Sequence, residues 1–74
     1  MIKTDLIKDY YGRIIGRIET DMSTNIQTAK DYYFRVLGRY YPRENVTKDF
    51  YNRVVGRGNQ LTGLIFQANA EGNK

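Results

Sequence analysis

The sequence predicts an all-β protein, an antiparallel meander of short repeated hairpins. Three observations point there. The stretch DYYGRIIGR at residues 9–17 returns as DYYFRVLGR at 31–39 and as DFYNRVVGR at 49–57. Each copy opens with a turn signal and continues into a β-branched or aliphatic pair. The segments between copies are short, and short connections make neighbouring strands antiparallel.

The copies begin at Asp9, Asp31 and Asp49, so the spacings are 22 and 18 residues. Internal repetition at such a period marks one supersecondary unit used several times. Asp followed by two residues and then Gly suits a type I turn ending in a left-handed residue. The Asp side chain caps the turn, and Gly, or next best Asn, accepts positive φ. Copies one and three thus predict structural turns at Asp9–Gly12 and Asp49–Asn52, and Asp31 marks the second tip. Phe34 stands at the left-handed position of that copy. It implies either another turn type or packing that offsets the strain.

Strands are expected at about 2–8, 13–20, 26–30, 35–41, 46–48, 53–57 and 61–66. The loop Asp21–Asn25, the turn Pro42–Asn45 and the pair Gly58-Asn59 connect them at the other end. Strict alternation places Ile14, Gly16, Ile18, Val36, Gly38, Tyr40, Val54 and Gly56 on one face, expected to be the core. The other face then carries six arginines (13, 17, 35, 39, 53 and 57) with Ile15, Leu37 and Val55 between them. The recurring Gly lets another chain or a bulky group approach the strand closely. Residues 1–67 form a single β-repeat domain on this reading, and 68–74 a flexible C-terminal tail. A helical alternative is weaker. Ile26, Ala29, Tyr33, Val36 and Tyr40 have near-helical spacing, but Gly12 and Gly16 would each cost a helix about 1 kcal/mol.

The Asp-x-x-Gly-Arg-x-x-Gly cadence resembles small bacterial and phage-type proteins described as four-fold β-flower domains. Residues 7–66 carry the resemblance, with Asp9, Gly12, Arg13 and Gly16 its cleanest copy and Leu61–Ile65 a degenerate fourth. The resemblance implies a fold of repeated hairpins and no established activity.

Seventy-four residues allow one domain near the lower size limit for an unaided core. The chain has neither Cys nor His, which removes disulfides, thiolate zinc sites and the commonest general base. No enzyme, cofactor or metal site is expected. No signal peptide is evident and no apolar stretch approaches about 20 residues, so a cytoplasmic protein without membrane insertion is expected. Ten aromatic residues, seven of them Tyr, exceed what so short a chain can cover. That excess suggests a structural or assembly module forming a homo-oligomer, of the kind a phage or mobile element carries. The net charge of +4 admits an alternative, a polyanion- or nucleic-acid-binding module. If each Asp neutralises the Arg four residues on, then Arg17, Arg39 and Arg57 stay free. With Tyr11, Tyr33 and Tyr51 they are the candidate binding residues.

The turn assignment has a direct test. Gly12→Val is expected to lower stability by about 1–2 kcal/mol, because a β-branched residue resists the left-handed well. A chemical-denaturation midpoint unchanged from the parent would contradict it.

Overall fold

The computed structural model describes residues 1–72. Six strands form one antiparallel sheet in sequence order: β1 (Ile2–Lys8), β2 (Ile14–Asp21), β3 (Gln27–Asp31), β4 (Val36–Tyr41), β5 (Val46–Asp49) and β6 (Val54–Arg57). A single helix, α1 (Leu61–Gly72), follows and packs across β2, β3 and β4.

The expected seventh strand at 61–66 is therefore a helix, and the degenerate fourth copy at 61–65 lies inside it. Local chemistry permits the change. Gly58, at φ 78°, turns the chain out of β6. Asn59 then caps the helix: its Oδ1 accepts from the Leu61 backbone N–H at 3.1 Å. The same side chain donates from Nδ2 to Gln27 Oε1 at 2.6 Å, which ties the cap to β3. The Gly58-Asn59 pair reads as a hairpin turn in sequence, yet the same two residues suit a strand exit and a helix cap. Leu61, Leu64, Ile65 and Ala68 recur at helical spacing and give α1 an apolar face. The helix crosses the expected domain boundary at 67 and continues through the first part of the expected tail. Residues 73–74 lie outside the described residues.

Leu61 and Ile65 are fully buried, and with Ile15, Ile18 and Ala29 they form the core. Ile7, Leu37, Tyr40 and Leu64 pack around it. The helix reaches the sheet through two of the repeated glycines. A Cβ built on Gly16 would lie 2.5 Å from the Lys30 carbonyl oxygen and 2.7 Å from Ile65 Cγ2. One built on Gly38 would lie 2.5 Å from the Lys48 carbonyl oxygen and 2.7 Å from Leu64 Cδ1. At Gly56 the nearest atom, Gln60 Cγ, is 3.8 Å away, because the helix has not yet come over the sheet. Thr47 is fully buried beside this helix start. Its hydroxyl donates to the Gly58 carbonyl at 2.7 Å and accepts from the Gln60 N–H at 2.9 Å.

The faces do not follow strict alternation. In the first hairpin Ile7 pairs with Gly16 and Lys8 with Ile14, so Ile15 is an extra residue in a β-bulge. Leu37 is the extra residue between Val36 and Gly38, and Val55 between Val54 and Gly56. Each repeat thus carries the same bulge at its second aliphatic residue. The bulge carries Ile15, only 6% exposed, to the helix side. Leu37 follows it there as a half-buried contact of the core. Ile14 and Val54, expected in the core, are 39% and 61% exposed. Val55 remains exposed as well, because α1 does not extend over β6.

Gly16→Ala and Gly38→Ala are expected to destabilise by about 1–3 kcal/mol, the usual cost of overpacking. Gly56→Ala should stay within about 0.5 kcal/mol of the parent, as an unstrained surface change does. Urea midpoints for the three variants check the contrast.

Candidate polyanion-binding face

The three hairpin tips are built alike. Asp9 Oδ1 accepts from the backbone N–H groups of Tyr11 and Arg13, both at 2.9 Å, and Oδ2 accepts from Arg13 Nε at 2.9 Å. Asp31 does the same with Tyr33 (2.8 Å), Arg35 N–H (2.9 Å) and Arg35 Nε (2.7 Å). Asp49 does so with Tyr51 (2.9 Å), Arg53 N–H (2.9 Å) and Arg53 Nε (3.0 Å). The backbone closes each tip through an i to i+3 bond from Gly12, Phe34 or Asn52 back to its Asp carbonyl. Those three residues sit at φ 79°, 68° and 66°. A carboxylate that receives two backbone donors and a guanidinium is strongly favoured in its charged form. For Asp9 and Asp49 the hydrogen bonds, led by the backbone N–H of Arg13 and of Arg53, hold the carboxyl below the usual range.

Phe34 keeps the same turn as its glycine and asparagine counterparts despite the left-handed backbone. Its ring lies against the Arg17 guanidinium, 4.1 Å from Cζ to the ring centroid. A cation–π contact of this kind contributes about 0.5–2 kcal/mol, comparable to the strain of a non-glycine residue there.

Beyond each carboxylate the tips display aromatic pairs. Tyr10–Tyr11, Tyr32–Tyr33 and Phe50–Tyr51 stand edge to face with centroids 5.4–5.5 Å apart. Arg13, Arg35 and Arg53 lie over Tyr11, Tyr33 and Tyr51 at 5.2–5.5 Å. These three tyrosines are therefore engaged with the arginine of their own tip. Arg17, Arg39 and Arg57, expected to join them in one binding surface, lie farther down the strands.

Arg17, Arg39 and Arg57 each follow a repeated glycine and so share the sheet face opposite the helix. None of them forms an ion pair among the described residues, whereas the three tip arginines do. Register adds two further cations to this open face: Lys30 stands directly opposite Arg17, and Lys48 opposite Arg39. One basic residue therefore stands on every strand from β2 to β6. Arg39 lies two residues down from Lys30 across β3–β4, and Arg57 two residues down from Lys48 across β5–β6. The row runs diagonally, stepping about 7 Å along the strands at each of those two pairings. Lys30 is paired with Glu19 at 2.8 Å. Lys48 lies over the Tyr41 ring at 5.3 Å. Neither lysine belongs to the repeated nine residues, yet the sequence carries a signal for both: each copy is preceded by a lysine, at 8, 30 and 48.

Among the described residues no group of His, Cys, Asp and Glu side chains is placed to hold a metal ion. Nor is any helix long and apolar enough to cross a membrane.

The lowered pKa values of Asp9 and Asp49 set a pH dependence. Their charged forms are favoured more in the folded than in the unfolded chain. The stability they contribute is present above the ordinary Asp pKa of about 3.9 and is lost as pH falls through the lower folded value. Acidification below about pH 4 should weaken the parent more steeply than the double variant Asp9→Asn/Asp49→Asn. Thermal midpoints at neutral and acid pH measure the difference.

Compared with protein-family models, curated proteins and solved structures, the chain matches none, and its function is read from its own residues.

Proposed function

We propose that the protein is a binding module for single-stranded nucleic acid, held on the open face of the sheet. The observation that carries this reading is the diagonal row Arg17, Lys30, Arg39, Lys48 and Arg57, with Arg17, Arg39 and Arg57 unneutralised among the described residues. Phosphates recognise such a row through charge and hydrogen bonding. The exposed ring of Phe34 beside Arg17, and Tyr41 beside Lys48, offer stacking platforms for bases. Stability supports the same reading. Like charges directly opposite on neighbouring strands are unfavourable, and Arg39 faces Lys48 with no carboxylate paired to either among the described residues, whereas Glu19 already pairs the lysine opposite Arg17. A bound polyanion relieves the repulsion.

A second reading rests on a separate observation. β1 is an edge strand whose outer side has no neighbour among the described residues, with Ile2 57% and Leu6 49% exposed. An edge of that kind favours association, so a homo-oligomeric assembly module is the competing function. The two are compatible, because an oligomer multiplies a weak basic face through avidity.

Fluorescence anisotropy with a labelled single-stranded oligonucleotide separates them. Binding is expected at low salt. Its logarithm should fall against the logarithm of salt with a slope of roughly −3 if Arg17, Arg39, Lys48 and Arg57 each neutralise one phosphate. Arg17→Glu/Arg39→Glu/Arg57→Glu should abolish binding while the far-UV spectrum stays that of the parent. No binding at low salt removes this reading and leaves assembly in front.

A further inference from the structure

The two edges of the sheet differ. β6 is four residues long, and the Arg57 carbonyl accepts from Gln60 Nε2 at 3.0 Å, so this edge is short and partly capped. β1 is seven residues long and pairs only with β2. The Met22 N–H bonds the Met1 carbonyl at 3.0 Å and the Asp9 N–H bonds the Arg13 carbonyl at 2.9 Å, which directs the odd-numbered residues of β1 toward β2. By antiparallel alternation, Ile2, Thr4, Leu6 and Lys8 then point their backbone N–H and C=O groups outward. Helix α1 lies over β2–β4 and leaves this edge uncovered.

The side chains of β1 are complementary to themselves in one register. Lys3 and Asp5 share the helix-side face, and neither forms an ion pair among the described residues. Ile2 and Leu6 share the open face. We propose that β1 pairs antiparallel with β1 of a second copy of this chain, about a two-fold axis at Thr4. Lys3 then stands opposite Asp5 of the second copy, Ile2 opposite Leu6, and Thr4 opposite Thr4, with about six backbone hydrogen bonds formed. An axis at Lys3 sets lysine against lysine, and one at Asp5 sets aspartate against aspartate. Registers offset by one residue point outward-facing groups at inward-facing ones and lose the hydrogen bonds. The axis at Thr4 alone combines bonding with both ion pairs. The pairing joins the two sheets into one, with both helices on one side and both basic rows on the other. This inference rests on the homo-oligomer reading and supplies its interface.

The chain has no cysteine, so a single introduced one reports the register. Thr4→Cys should form a disulfide-linked dimer on mild oxidation, because facing residues of a bonded pair lie about 5.5 Å apart, within disulfide reach. Leu6→Cys should not, since the two copies of residue 6 are offset by four positions, about 13 Å. In the cysteine-free chain, Lys3→Glu and Asp5→Lys should each raise the dimer dissociation constant roughly ten-fold, and the double exchange should restore it. Light scattering on the unmodified chain at tens of micromolar completes the test. A mass at the monomer value of 8.7 kDa overturns both the edge pairing and the homo-oligomer reading. An oligomer that ignores Lys3→Glu, or cross-links Leu6→Cys as readily as Thr4→Cys, overturns the edge pairing and leaves the homo-oligomer reading standing.

Discussion

The contact between α1 and the glycines at 16 and 38 is the constraint on which the rest depends. A six-stranded meander of four- to eight-residue strands has no interior of its own. Its apolar side must be covered, and one helix does so, with Leu61 and Ile65 as the only large apolar side chains among the described residues that are completely removed from solvent. Full burial of such a side chain stabilises by about 1.5–3 kcal/mol. The helix has few such side chains, so close approach matters, and at Gly16 and Gly38 the absence of a Cβ permits it. The bulges serve the same contact by turning Ile15 and Leu37 toward the helix. Sheet, bulge and helix are parts of one packing solution.

The tips are stabilised in another way. They are held by a carboxylate that gathers two backbone N–H groups and one guanidinium within a span of five residues. Such a cage is local and itself shields its carboxylate, whose side chain is 9–23% exposed, which explains how it can be written three times with so little variation. It also fixes one guanidinium edge while the remainder of each tip arginine stays in solvent: these side chains are 70–75% exposed. The tips are therefore self-contained, and the sheet face between them is free to carry other charges.

A single covering helix has a consequence for the sheet. It divides the sheet into a packed side and an open side, and each repeat places its second arginine on the open one. The meander then brings the lysine that precedes each aspartate of the second and third copies opposite the second arginine of the copy before it. Similar copies thus create, at their junctions, a charge arrangement that no copy contains alone. The two edges are unequal for a related reason. The exit into α1 shortens and caps β6, while β1 has no such neighbour.

Much of this was legible in the sequence because it is local chemistry. The six strands, the three tips, the positive φ of Gly12 and Asn52, and the pairing of each Asp with the Arg four residues on all follow from a few adjacent residues. The freedom of Arg17, Arg39 and Arg57 followed from the same pairing. What tertiary structure decided depends on contacts between distant segments. Residues 61–66 could be read as a strand until the apolar side of the sheet required a cover, and the cap at Asn59 and the glycine floor then favoured a helix. The bulges overturned strict alternation in all three repeats, and the helix decided which extra residues are buried: Ile15 and Leu37 beneath it, but not Val55. Phe34 tolerates a strained backbone through a ring contact with Arg17, a residue on another strand. Lys30 and Lys48 joined the basic row through register, which links strands that a single repeat does not contain.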